Sequence, residues 1–209
     1  MNIAYRIALV LGSVGSALAT YFWTDGRYGA TGGTILVLAM VVWAYGLVGL
    51  LDAVRPHAPR YAAVALPVFL YGAMGGAAFG FQGVFEDIFT QSTDASLAAL
   101  AEHPFAANLL LWLPGPVMPI SLLVLGVVLA RIRLVPLWAA ALLCAGAVAF
   151  PLSRIPRIDV IAYLADALLV VAFVAIAWSP NRALRQNKIA SVPVIQQVEA
   201  VAPAGKEQR

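Results

Sequence analysis

Leu111–Leu122 reads LWLPGPVMPISL, three prolines and a glycine inside one of the most apolar stretches of the chain. Proline lacks the amide hydrogen that a helix interior needs, and its ring collides with the preceding turn. Three of them so close together decide whether Phe105–Ala130 is one membrane-crossing helix or two pieces. A single straight helix of that length would rise about 39 Å against a hydrocarbon core of about 30 Å. The broken form is the expected one: an apolar segment FAANLLLWL on or just inside one face, a Pro-Gly-Pro turn, and a span from about Pro116 to Ile132. Pro116 and Pro119 then fall in the first turns, where missing N–H groups matter least. Pro114, Pro116 and Pro119 thus mark a helix break near the outer surface. The carbonyls freed there need a protein or water partner, and breaks of this kind often flank transporter binding sites.

The stretches around it have the same character. The chain of 209 residues is 62% hydrophobic and 11% charged, where soluble domains carry roughly 25% charged residues. Six runs are long enough to cross a bilayer: Ile3–Trp23, Gly33–Leu51, Tyr61–Phe81, Phe105–Ala130, Val135–Leu152 and Ile158–Trp178. Helices are the natural spanning element because they satisfy their own backbone groups. The expected fold is therefore all-α, a polytopic bundle of six spans over residues 1–180. An outer loop covers about 82–104, and a flexible basic cytoplasmic tail covers 181–209.

Charge sets the orientation. With the N-terminus in the cytoplasm, ten of the 13 Lys and Arg fall inside, among them Arg6, Arg55, Arg60, Arg131 and Arg133. Only Arg27, Arg154 and Arg157 fall outside, which favours both termini in the cytoplasm. The net charge of +3 is accounted for by topology and does not point to nucleic acid. Arg6 and Ala17-Leu18-Ala19 give the first span some likeness to a signal peptide, but its hydrophobicity continues to Trp23 and it is read as a retained helix. Arginine in place of lysine and abundant alanine suggest a GC-rich bacterial genome, and with the six spans the expected location is the bacterial inner membrane.

Small residues mark where helices approach one another. Span 1 has Gly12 and Ser16 on one face with Ala8 and Thr20. Span 3 carries the tandem Gly72, Gly76 and Gly80. Its partner is expected to be span 1 of the same chain, or span 3 of a second copy. Beyond the lipid bilayer, the candidate partners are therefore a homo-oligomer or a larger membrane complex.

Asp166 is the one acid clearly inside a span, where a charge costs roughly 2.5–3.5 kcal/mol on insertion scales. Asp159 and Tyr163 share its helix face, while Arg157 lies too far up the helix to reach it. One reading makes Asp166 a proton or cation site opening outward through Tyr163 and Asp159. The other makes it a protonated packing residue bonded to a neighbouring helix. Several chemistries have no residues here. His57 and His103 lie on opposite sides, so they cannot share a haem or metal. H-E-x-x-H and P-loop patterns are absent, and TDGRYGATGG reads as an outer turn. Glu86, Asp87, Asp94 and Glu102 read as a solvated face of the outer loop, with Asp94 capping a short helix. No cofactor or metal is expected. The first functional expectation is non-enzymatic handling of a small solute or proton through a cavity near Asp166. The second is an accessory or scaffold subunit docked through its glycine faces, and the weakest is a membrane-embedded enzyme.

Overall fold

The computed structural model describes residues 1–24 and 27–179; the tail expected over 181–209 lies outside the described residues. The helices are α1 (Ile3–Tyr21), α2 (Gly29–Val54), α3 (Pro59–Ile88), α4 (Thr93–Ala101), α5 (Pro104–Ala107), a π-helical segment (Asn108–Trp112), α6 (Pro114–Arg131), α7 (Leu137–Arg154) and α8 (Asp159–Ala177). No strand occurs among the described residues. Six stretches are long and apolar enough to cross a membrane: α1, α2, α3, Pro104–Arg131, α7 and α8.

Short connections make successive helices antiparallel neighbours, and the six long stretches close into a ring. α1 packs on α2, α2 on α3, α3 on α6, α6 on α7, α7 on α8, and α8 returns to α1. Missing side chains set most of these contacts. A Cβ on Gly12 would run into the backbone of Trp43, and one on Gly33 would meet the Gly80 carbonyl. One on Gly126 would strike Cys144, and one on Gly146 would strike Leu169. The glycine face of α3 is divided between two neighbours. Gly72 and Gly75 lie against Met118 and Pro114 of α6, while Gly76 and Gly80 lie against Met40, Gly33 and Val37 of α2. Within the chain the partners of this face are thus α6 and α2, not span 1. The small face of α1 meets α2, with Gly12 and Ser16 both buried.

The proline stretch corrects the expected break. Ala107, Asn108 and Leu113 all hold right-handed helical angles, so the chain coils continuously from Pro104 to Arg131, with no turn and no surface lid. The prolines are absorbed by a change of register. The Leu113 amide donates to the Asn108 carbonyl at 2.9 Å, an i→i−5 bond, as in the π-bulges that insert one residue into a helix. In that register Leu109 would receive the amide that Pro114 lacks. The Tyr71 hydroxyl donates to the Leu109 carbonyl instead, at 2.8 Å. Pro114 and Pro116 then sit in the first turn of α6, and Pro119 one turn on.

The connection expected over 82–104 is also shorter than expected. α3 continues to Ile88, and α4 is capped by Ser92, whose Oγ accepts from the Ala95 amide at 3.2 Å; Asp94 only occupies its first turn. Within TDGRYGATGG, α2 begins at Gly29, which holds a positive φ, and Gly32 and Gly33 are helical. Asp87 supplies the missing cap: its Oδ2 accepts from the Ala30 amide at 2.8 Å, where a carboxylate favours a helix N-terminus.

Candidate functional site

The ring is packed solid at the end that holds the α2–α3 and α6–α7 turns. Leu47, Leu51, Leu125, Leu129 and Phe173 fill it, and Trp43 meets Phe173 edge-on at 5.3 Å between centroids. The other half of the interior is a cavity of about 550 Å³. Trp43, Met40, Leu122 and Leu169 form its floor, with Gly72 and Gly76 on the α3 side. Absent side chains on α3 therefore both seat neighbouring helices and leave room inside the ring. Toward the open end the lining turns polar. Tyr28, Gln82 and Glu86 appear there, followed by Arg27 from the α1–α2 connection, Arg154 from the end of α7 and Arg157 from the turn after it.

Arg154 is the centre of the polar wall. Its Nη2 donates to Asp166 at 3.2 and 3.3 Å and to the Thr20 hydroxyl at 2.7 Å, while Nη1 donates to Ser153 at 3.2 Å. The guanidinium lies between two rings, 4.6 Å from Trp23 and 4.5 Å from Phe150, each contact worth about 0.5–2 kcal/mol. Three helices and the α1–α2 connection thus converge on one cation. Asp166 is 4% exposed, so each charge is the other's compensation in a place where an unpaired one is costly. Tyr28 stands beside them; burial pushes its phenol above the ordinary value, against the pull of the Arg154 charge.

The geometry explains how Arg154 reaches Asp166. Asp166 lies seven residues below Asp159, about 10 Å into α8. Arg154 closes α7, and side chains on a helix lean back toward its N-terminus. Its guanidinium is therefore directed down into the bundle, toward the depth of Asp166. The other members of the expected trio lie elsewhere. Tyr163 is 46% exposed on the outer surface of the ring and Asp159 is exposed at the start of α8. Neither shares a hydrogen bond with Asp166 among the described residues.

Glu86 departs from its expected place on a solvated face. It is buried at 7% exposure, accepting from Gln82 at 2.8 Å and from the Thr93 hydroxyl at 3.5 Å. Gln82 also bonds Ser96 at 3.3 Å, so this network ties α4 to the end of α3 beside the cavity mouth. Two further donors in the cavity wall, Trp43 Nε1 and Arg154 Nε, have no acceptor among the described residues. No group of three metal-ligating side chains occurs among the described residues. No family model, no curated protein and no solved structure matches the chain.

Proposed function

We propose that the chain is a multi-pass protein of a bacterial cytoplasmic membrane, with both termini inside, that binds a small solute in its ring cavity without chemically transforming it. The observation that carries this reading is the cavity itself. A void of about 550 Å³ falls in the range of roughly 300–1,000 Å³ typical of small-molecule sites, and interiors are otherwise packed without such gaps. The positive-inside rule directs its mouth away from the cytoplasm.

The Arg154 contact favours a solute over a proton as the cargo. A carboxylate held by a guanidinium and backed by a hydroxyl is a fixed part of the wall rather than an exchanging group. The scaffold alternative loses support because the faces of α1 and α3 that would dock a partner are occupied within the ring. The test is solvent extraction of protein purified in mild detergent, followed by mass spectrometry. One compound should be recovered in near-stoichiometric amount from the natural protein. It should be depleted in the cavity-filling variant Leu36→Phe/Leu122→Phe, with the fold retained by circular dichroism. Equal recovery from both proteins, or no compound from either, would sink the reading.

A further inference from the structure

Ten of the 13 Lys and Arg obey the charge rule for membrane topology, and the three that break it are Arg27, Arg154 and Arg157. All three line the cavity. Arginine on the non-cytoplasmic side is not needed for topology, and three such residues, from the α1–α2 connection, the end of α7 and the turn after it, converge on one opening. Their charges are not equally committed. Arg154 is held by Asp166, and Glu86, an acid of the lining on α3, accepts from the neutral Gln82 and Thr93 and offsets part of the remaining positive charge. Arg27 and Arg157 are exposed and take part in no ion pair among the described residues. Below them the wall is apolar and aromatic down to Trp43.

From this charge complementarity we infer that the solute is a single-chain anionic amphiphile. Its head, a carboxylate or a phosphate, is held at the mouth by Arg27 and Arg157, and its hydrocarbon chain runs down to Trp43. The inference rests on the cavity reading above and adds the chemistry of the ligand. Arginine presents paired N–H donors that match both oxyanions. A volume suited to one drug-sized molecule favours one chain with its head over a two-chain lipid.

Tryptophan quenching tests this directly. Of the five tryptophans, Trp112, Trp138 and Trp178 are exposed, Trp112 also touching the cavity, where Phe keeps an aromatic ring. Replacing these three with Phe leaves Trp23 and Trp43, both in the cavity wall. This variant, in phosphatidylcholine nanodiscs, is titrated with brominated sixteen-carbon probes: a fatty acid, an alkyl phosphate and the uncharged alcohol. Saturable quenching by the acid or the phosphate is expected at concentrations about tenfold or more below the alcohol, the ratio for one added charge-assisted contact of about 1.4 kcal/mol. Comparing the acid with the phosphate identifies which head is preferred. Arg27→Gln/Arg157→Gln should erase the advantage of the anions, and Arg27→Lys/Arg157→Lys should restore part of it, with melting temperature recorded for each. Equal quenching by acid, phosphate and alcohol, unchanged in the Gln variant, overturns the anionic head and leaves the cavity reading standing. Absence of saturable quenching by any probe overturns both.

Discussion

Substituting Asp166 by Asn keeps the side chain's shape and removes its charge, leaving the Arg154 guanidinium without its counter-ion. Deleting one partner of a buried ion pair costs about 3–5 kcal/mol. The Arg154 side chain is 13% exposed and keeps Thr20, Ser153 and two aromatic rings. The loss should therefore lie at the lower end, about 3 kcal/mol. For a chain of this size that lowers the melting temperature by about 6–12 °C at roughly 2–4 °C per kcal/mol. The double variant Arg154→Met/Asp166→Leu removes both charges and should recover most of the loss, since apolar replacements of buried pairs are often neutral or better. Thermal unfolding followed by tryptophan fluorescence in nanodiscs measures all three proteins and the Arg154→Met single. If Asp166→Asn melts with the natural protein, or if the two single losses simply add in the double, the ion pair is not coupled and the reasoning fails.

Three further expectations follow from the packing. Tyr71→Phe should destabilise by about 1–3 kcal/mol by leaving the Leu109 carbonyl without its donor; in a Pro114→Ala background, where a new amide can reach that carbonyl, the same substitution should cost less. Gly72→Leu meets the Met118 backbone, 2.9 Å from the position a Cβ would take. It should lower the melting temperature by at least the about 1–3 kcal/mol typical of overpacking, with no change in elution position on size exclusion. Asp87→Ala removes the cap on α2 and should cost about 0.5–2 kcal/mol, seen as faster hydrogen exchange at Ala30–Gly33.

Much of this architecture is legible along the chain because it depends on local quantities. Apolar length sets the six long helices, and four-residue glycine spacing marks where they approach. The proline stretch misled because the propensity of Pro114 to end a helix was overridden by a tertiary contact. One hydroxyl from α3 completes the register that the missing amide leaves open. Glu86 has a legible partner in Gln82 four residues earlier on α3, whereas Asp87 looks solvated because its partner, the Ala30 amide, belongs to a segment 57 residues away. Asp166 stands out as a buried acid with either a site along α8 or a bond to a neighbouring helix, and no local pattern names Arg154 of α7 as the partner. Arg154 passed for a turn residue, although the backward lean of helical side chains places it at the right depth. That rule, applied to the ends of sequence-adjacent helices, was the signal available.

The most direct measurement is a structure of the protein purified from its own membranes without delipidation. Non-protein density is expected inside the ring, running from Arg27 and Arg157 at the mouth to Trp43 at the floor, with Arg154 still on Asp166. A ring collapsed on itself, with α3 closed against α7 and α8 and no space above Trp43, would contradict it.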